Sequence, residues 1–436
     1  MIESELQRFR RDHPRCAALH ERAQGSLFGG VPMPWMMLWA GGYPVAVAEA
    51  VGSRVVCEDG IEFVDLCLGD TGAMAGHAPA PVLEALRAPR DITTMLPTED
   101  AAWVGEELAR RFGLARWLFT LTATDANRTA LRVARMLTGR PKVLVYSYCY
   151  HGSVDEAFAV REDGRTVSRA GNVGPPVDIA QTTTAVEFND LDTLEAALRT
   201  GEIACVLAEP AMTNMGIVLP DDGYHDALRS LTREHGTLLI IDETHTFSAG
   251  PGGCTRAWGL EPDLLTIGKA IGGGVPCGAL GLSQEVEARM GAADDADFVD
   301  TGGVGGTLAG NPLSLAAMRA TLSSVLTDDV WERAIPLAER FAAGVRAAIG
   351  ERPWNVTQLG CRAEYRFQRE PARNGTEAHA ASDPALERYL HLHALNRGVL
   401  ITPFHNMALM APTTTEADVD RHSEVFAEAV ASLTVR

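Results

Sequence analysis

The sequence has no long apolar run and no signal-like leader, and each absence excludes a class of protein. No apolar stretch approaches the roughly 18 residues that a transmembrane helix needs, so no membrane span is predicted. The N-terminal stretch MIESELQRFRRDHPRC is charged throughout and has no apolar signal-peptide core. We therefore expect a cytoplasmic protein with no part in the membrane.

Basic residues are scarce: 38 lysines and arginines stand against 57 aspartates and glutamates, which gives a net charge of −19. This balance argues against nucleic acid or an anionic membrane surface as the main partner. The eight cysteines are scattered and none forms a CxxC pair, so neither a metal site nor a disulfide framework is predicted. We expect reduced cysteines that pack as small apolar residues.

Apolar runs alternate with helix-like segments from about residue 75 to 285. The runs that predict strands are WLFTLT (117–122), KVLVYSY (142–148), ACVLAEP (204–210), TLLIIDE (237–243), LLTIGK (264–269) and ALGLS (279–283). Between them, ANRTALRVARMLTG predicts an amphipathic helix, and Asp190 is a possible cap for the helix in DLDTLEAALRTG. This alternation indicates an α/β fold, with a mainly parallel sheet covered by helices on both faces.

A chain of 436 residues is too long for one ordinary core. We divide it into an N-terminal segment at 1–70, a large domain at 71–320 and a smaller α+β domain at 321–436. The N-terminal segment is expected to contribute to the smaller domain.

Lys269 stands in unusual surroundings, between an apolar run and a cluster of glycines in DLLTIGKAIGGG. It either ends a strand with its ammonium in water or is kept reactive for covalent chemistry with a carbonyl. Asp242 ends the preceding apolar run and either caps the next helix or holds a proton on a heterocyclic nitrogen. A lysine and an aspartate at neighbouring strand ends are what pyridoxal 5′-phosphate requires, because one forms a Schiff base and the other keeps the pyridine ring protonated.

The phosphate of such a cofactor needs an anion site. In TLTATDANRTAL a strand runs into a helix, so free N–H groups are expected near Ala123 and Thr124. Thr124 or Asp125 could equally be an ordinary helix cap. The glycine-rich stretch TGGVGGTLAGNP, with the hydroxyl of Thr307, is a second candidate. Tyr150 in VYSYCYHG either packs in the core or stacks on the cofactor ring.

A series of motifs follows in order between about residues 25 and 425: EFVDLCLGDTGAMAGHAP, TATDANRTALRVAR, YHG, AEPAMTNMG, IIDE, GKAIGGGVPCGALG and GTLAGNPLSLAAMRA. Together they resemble the class III, fold-type I, pyridoxal-phosphate aminotransferases. The chain is most similar to the branch that contains glutamate-1-semialdehyde aminomutase and related transaminases. The resemblance implies that Lys269 is the Schiff-base lysine and Asp242 the partner of the pyridine nitrogen.

The resemblance implies further contacts with the cofactor. Ala123 and Thr124 would lie in the phosphate turn, and Tyr150 would stack on the ring. The remaining implied cofactor-binding residues are His151, Glu209, Asn214, His245 and Thr307. The last of these is expected to reach the phosphate of a neighbouring subunit, which implies a homodimer with shared active sites.

The chain departs from the family near the cofactor. Ala123 replaces the usual glycine of the phosphate turn, and Asp125 replaces the usual glutamate. In DETHTF, His245 lies three residues after the ring aspartate, where the family often has a small or hydroxyl residue. It either contacts the ring oxygen or faces away, and we favour a structural role.

A larger departure concerns the substrate. The aminomutase branch uses an N-terminal arginine to bind the substrate carboxylate, but Met36 falls at that place and residues 23–53 contain neither arginine nor lysine. Trp35 and Met36 are therefore expected to form an apolar wall of the pocket, unless this loop lies in a dimer interface. Asp70 and His405 are the polar candidates for substrate binding.

We predict a pyridoxal-phosphate-dependent aminotransferase that moves an amino group between an amine or amino acid and a carbonyl compound. A carboxylate could still be bound by Arg128 or Arg362. The alternative is an aminomutase, racemase or epimerase of the same family, because these enzymes share the site lysine and aspartate. The presence of both Lys269 and Asp242 argues against a non-catalytic protein of this fold.

Overall fold

The computed structural model describes residues 1–88, 95–293 and 296–433. Two compact units are present. The large unit comprises Ala80–Asp328 and Ala372–Ala380, and the small unit comprises Met1–Pro79, Asp329–Pro371 and Ala381–Arg436. Within the described ranges, every helix is too short or too polar to cross a lipid bilayer.

The strands, in chain order, are β1 (Val47–Val51), β2 (Arg54–Cys57), β3 (Glu62–Asp65), β4 (Arg116–Thr120), β5 (Lys142–Tyr146), β6 (Ala159–Glu162), β7 (Arg165–Ser168), β8 (Thr183–Val186), β9 (Ile203–Ala208), β10 (Leu238–Asp242), β11 (Leu264–Gly268), β12 (Gly278–Leu282), β13 (Asn355–Leu359), β14 (Arg362–Arg366), β15 (Val399–Leu400) and β16 (Met407–Leu409).

The α-helices are α1 (Ile2–Asp12), α2 (Pro14–Gln24), α3 (Ala80–Arg87), α4 (Glu99–Phe112), α5 (Ala123–Thr138), α6 (Leu191–Leu198), α7 (Tyr224–Glu234), α8 (Gly253–Ala257), α9 (Gln284–Gly291), α10 (Pro312–Ser324), α11 (Val330–Ile349), α12 (Gly375–Ala380), α13 (Pro384–Leu395) and α14 (Glu416–Ser432).

The large unit is built on a seven-stranded sheet in the order β4-β12-β11-β10-β9-β5-β8. Five neighbouring strands, β11, β10, β9, β5 and β8, run parallel to one another. Strand β12 is antiparallel to both of its neighbours. Strands β9 to β12 are buried along their whole length, as expected for a sheet covered on both faces. The six strands predicted from apolar runs are confirmed. The seventh, β8, was not predicted, because threonines 183 and 184 interrupt its apolar run.

Helix α5 packs across the sheet and begins at the edge where the parallel strands end. Its cap is Thr122, whose Oγ1 accepts a hydrogen bond from the Asp125 N–H at 3.2 Å. The expectation of a cap at Thr124 or Asp125 was therefore wrong. Both residues lie inside the first turn, because the chain enters the helix as soon as β4 ends. Asp190 is confirmed as the cap of α6, since it accepts from the Thr193 N–H at 3.1 Å.

The small unit contains a four-stranded sheet, β1-β2-β3-β15, and a three-stranded sheet, β13-β14-β16. Helices α11 and α14 pack against each other, and α1 packs against α13. Phe9, Phe63 and Leu392 lie at the centre of one apolar core in this unit. All eight cysteines of the chain lie in the described ranges and are buried, and none of them forms a disulfide.

Candidate active site

Two adjacent parallel strands of the large unit end with the residues singled out in the sequence. Asp242 is the last residue of β10, and Lys269 directly follows β11. The two strands pair in parallel, with Asp242 opposite Thr266. Both side chains therefore start from the same edge of the sheet, which is where ligands bind in open α/β sheets.

The Asp242 carboxylate is buried and receives hydrogen bonds on both oxygens. Oδ2 accepts from Asn127 Nδ2 at 2.9 Å and contacts His151 Nδ1 at 2.9 Å. Oδ1 accepts from the backbone N–H of Thr244 at 3.0 Å. These donors hold the carboxylate in one orientation, so the helix-cap interpretation of Asp242 does not account for its main contacts.

Electrostatics keep Asp242 ionised. Burial by itself acts to raise the pKa of this carboxyl, but the hydrogen bond and charge of His151, together with hydrogen bonds from Thr244 and Asn127, lower the pKa to about 2. For His151, burial acts to lower the pKa, but Cys149 and the Asp242 carboxylate raise it well above its ordinary value. Asp242 is therefore a buried, permanent negative charge, which is what a protonated ring nitrogen needs as its partner.

Asn127 is a site residue that sequence reasoning missed. It lies on α5 and connects three parts of the large unit: Nδ2 donates to Asp242 and to the backbone carbonyl of His151 at 3.1 Å, and Oδ1 accepts from the Thr266 hydroxyl at 2.7 Å. Asn127 lies in the motif TATDANRTALRVAR, four residues after Ala123. Its helical position one turn beyond Ala123 was the available signal.

Lys269 has an unusual backbone conformation and a nitrogen partner. Its φ angle is 49°, in the left-handed region that few non-glycine residues adopt. Its Nζ atom lies 2.8 Å from Nε2 of His245. Strain of this kind is characteristic of functional sites. His245 therefore contacts the lysine amine, and the two positions left open for it, contact with the cofactor's ring oxygen or facing away from it, remain predictions.

The first turn of α5 lies against the end of β11 and against the loop after β5, through glycines that leave no room for a side chain. A Cβ on Gly268 would lie 3.0 Å from the backbone nitrogen of Ala123. A Cβ on Gly152 would lie 2.0 Å from Thr124 Oγ1, which also accepts a hydrogen bond from the Ser153 N–H at 3.2 Å. The N–H groups of this turn thus lie next to the residue that precedes the lysine, in a place suited to an anion.

The remaining predicted cofactor residues of this unit lie on the loops after β5 and β9. Glu209 is buried, and burial raises its pKa to about 7 although His151 and Thr213 act against the shift. Asn214 donates to the backbone carbonyl of Tyr148 at 2.8 Å. The Tyr150 ring lies edge-on to Phe158 at 6.4 Å, a packing contact. Stacking of Tyr150 on a cofactor ring therefore remains a prediction.

Thr307 lies apart from these residues, in the glycine-rich segment before α10. It lines an open groove of about 520 Å³ together with Arg128, Arg132 and Asp125. Arg132 donates to the backbone carbonyl of Gly302 at 2.7 Å and so fixes one end of the segment. The predicted role of Thr307 at a neighbouring subunit's phosphate remains a prediction.

The four predicted substrate-binding residues belong to the small unit. Trp35 lies edge-on to Phe404 with ring centroids 5.4 Å apart, and Phe404 in turn contacts His405 at 5.0 Å. Met36 is half-buried in the same loop as Trp35. The structure therefore brings the N-terminal Met/Trp loop and the loop before β16 together within this unit.

The polar candidates of the small unit form a charged cluster. His405 Nδ1 lies 3.5 Å from Oε1 of the buried Glu364. Burial acts to lower the pKa of His405, but the charges of Glu364 and Asp70 outweigh it and raise the pKa. Arg362 is buried close by and donates to the Thr71 hydroxyl at 2.8 Å. The cluster is a possible polar recognition site, and its role in substrate binding remains a prediction.

Comparison with known proteins identifies the family. The family model for aminotransferase class III matches residues 38–430. The chain belongs to the class III aminotransferases. Among curated relatives, this class III aminotransferase is 35% identical over 407 residues to the glutamate-1-semialdehyde 2,1-aminomutase of Acidobacterium capsulatum, covering 89% of the chain and 92% of the relative.

Solved structures agree with this assignment. A glutamate-1-semialdehyde-aminomutase from Pseudomonas aeruginosa PAO1, in complex with PMP, is 50% identical with a TM-score of 0.96, covering 99% of this chain and 97% of that one. An omega-transaminase from Sphaerobacter thermophilus is 28% identical with a TM-score of 0.86, covering 95% and 97%. The chain therefore has the fold-type I architecture of pyridoxal-phosphate enzymes, as predicted.

The site fits the cofactor of this family, pyridoxal phosphate. Asp242 would supply the buried ionised carboxylate for the ring nitrogen, and Lys269 would supply the amine. The first turn of α5, which packs closely against Gly152 and Gly268, would supply N–H groups for the phosphate. These roles of the individual residues remain predictions.

Proposed function

We propose that this enzyme moves an amino group between neighbouring carbons of a small amino carbonyl compound, as an aminomutase. The placement of Lys269 and the ionised Asp242 at adjacent strand ends of the large unit supports the cofactor chemistry that aminomutases and transaminases share. The sequence by itself favoured a transaminase and left an aminomutase as the alternative. The names of the relatives support the aminomutase.

The residues of the chain have separable roles in such a reaction. Pyridoxal phosphate, when bound, supplies a carbonyl that captures amines and a ring that withdraws electrons from the reacting carbon. Asp242 holds the ring nitrogen protonated, because its own pKa of about 2 keeps it ionised. Lys269, once its amine is free, takes a proton from one carbon and returns it to another as a general base and acid. Asn127 and His151 keep Asp242 oriented.

The test is a single-substrate assay on the purified holoenzyme. We expect glutamate 1-semialdehyde, supplied alone, to be converted to the isomer with its amino group on the adjacent carbon, measured by chromatography. The Lys269→Ala variant should lose this turnover and the yellow absorbance of the lysine-bound cofactor, while still binding pyridoxal phosphate non-covalently. Normal turnover by Lys269→Ala would refute the assignment of the lysine.

An amine transaminase is the second candidate. The observation that favours it is the lack of any arginine or lysine in residues 23–53, together with the partly exposed apolar side chains of Trp35 and Met37. Such a surface suits a substrate without a carboxylate better than one with it. A transaminase needs a separate donor and acceptor, so conversion that requires both, with simple amines as donors, would favour it over the aminomutase.

We also propose a cytoplasmic homodimer in which Thr307 contributes to the partner's site. The support is the open, arginine-lined groove in which Thr307 lies. Light scattering should give twice the chain mass, and Thr307→Val should weaken cofactor binding without changing that mass. A monomeric wild type, or a Thr307→Val variant that binds pyridoxal phosphate as tightly as the wild type, would contradict the shared site.

A further inference from the structure

His245 lies beside the reactive lysine. Its Nε2 atom is 2.8 Å from Lys269 Nζ, which is a hydrogen-bond distance. His245 follows the end of β10 by three residues, and Lys269 directly follows β11. The parallel pairing of these two strands brings the side chains together, so the contact is a product of the sheet rather than of proximity along the chain.

The chemistry of the two nitrogens assigns the donor. A lysine ammonium can only donate, whereas an imidazole nitrogen without a proton can accept. When Lys269 is an ammonium, it is the donor and Nε2 of a neutral His245 is the acceptor, which places the ring proton on Nδ1.

We propose that His245 holds the amine of Lys269 whenever the lysine is not joined to the cofactor, and accepts the proton that the ammonium must lose before its nitrogen can attack a carbonyl. The proton moves from Nζ of Lys269 to Nε2 of His245. This leaves a neutral amine with a free lone pair and an imidazolium, which passes its proton to water. The inference rests on the proposed function, because it takes Lys269 as the amine that joins the cofactor.

Other titratable groups lie at this edge of the sheet, and the carboxylates among them have partners of their own. They are Asp242 and Glu243 on the segment that carries His245, and Cys149, His151, Glu209 and Cys277 on neighbouring elements. Asp242 is held by Asn127, His151 and Thr244. Glu243 accepts from the Thr246 hydroxyl and from backbone N–H groups at the start of α8. His245 lies at hydrogen-bond distance from Lys269 and can therefore take a proton from it directly.

The test measures how Lys269 joins the cofactor, separately from turnover. The full-length protein is stripped of cofactor, and pyridoxal phosphate is added back across about pH 5.5 to 9, a range that brackets the ordinary pKa of histidine. The rate at which the yellow absorbance appears is compared for wild type, His245→Gln and His225→Gln. His225 is a matched control, because it is a half-buried histidine of the same unit that contacts the Pro210 carbonyl at 2.8 Å.

We expect His245→Gln to join the cofactor at least about tenfold more slowly near pH 7, since its amide can accept a hydrogen bond but cannot take up the proton. We also expect the wild-type rate to change with pH across this range and His245→Gln to lose that dependence, while His225→Gln keeps both the rate and its dependence on pH. An unchanged rate and profile in His245→Gln would overturn the inference and leave the proposed function standing.

Two further outcomes are distinguishable. A wild type that never turns yellow would overturn the proposed function itself, together with the inference. If circular dichroism shows that His245→Gln does not fold, His245→Asn carries the same test, because its side chain is also neutral and unable to hold the proton.

Discussion

Removing the Asn127 side chain is expected to destabilise the large unit and loosen the Asp242 carboxylate together. Asn127 and Thr266 are both fully buried. The Asn127→Ala variant loses the hydrogen bonds to Asp242, to the His151 carbonyl and from the Thr266 hydroxyl. At about 1 kcal/mol for each neutral bond and about 2 kcal/mol for the bond to the charged carboxylate, the free energy of unfolding should fall by about 4 kcal/mol.

Urea denaturation of the holoenzyme, followed by fluorescence, measures this loss. Thr266→Val is the control, because it removes one of the three bonds and should cost about 1 kcal/mol. The double variant should cost about 1 kcal/mol less than the sum of the two single variants, since the shared bond is then counted once. Asn127→Ala should also bind pyridoxal phosphate more weakly than Thr266→Val.

Two results would refute the reasoning. A loss below about 1 kcal/mol in Asn127→Ala would mean that its three bonds are replaced by other contacts. If the two losses of unfolding free energy simply add in the double variant, Asn127 and Thr266 do not interact. That result would contradict the hydrogen bond of 2.7 Å between the Thr266 hydroxyl and Asn127 Oδ1.

The remaining predictions concern a buried acid and a tight glycine. Burial raises the pKa of Glu209 from 4.5 to about 7, so its ionisation opposes folding as the pH rises through that window, by about 3 kcal/mol in total. Glu209→Gln should remove this pH dependence, seen as a smaller fall in urea stability between about pH 5 and 8 than in the wild type. Gly152→Ala should cost at least about 2 kcal/mol and weaken cofactor binding, because φ is 77° and the new Cβ would meet Thr124 Oγ1 at 2.0 Å. Gly139→Ala, with φ of 67° and open space around it, should cost only about 1 kcal/mol, and an equal cost for both would remove the steric argument.

Much of the fold could be predicted from the sequence because its signals are local. A strand in a sheet that is covered on both faces is usually a short apolar run, so β4, β5 and β9 to β12 could be predicted directly. β8 could not, since two threonines broke its pattern and only pairing with β5 makes it a strand. The cap at Thr122 was missed because the first helical residue depends on where β4 ends, which local composition does not specify.

The same contrast holds for the candidate site. The sequence by itself determined that Asp242 and Lys269 end adjacent apolar runs, because a polar residue that follows an apolar run can be recognised without the structure. Tertiary structure alone decided their partners: Asn127 lies 115 residues from Asp242, and His245 lies 24 residues from Lys269. Hydrogen bonds between such distant positions depend on strand order and on where α5 crosses the sheet. Neither the strand order nor the path of α5 is encoded in a local pattern. The hydrogen bonds that hold Asp242 and the contact between Lys269 and His245 therefore form only when the chain folds.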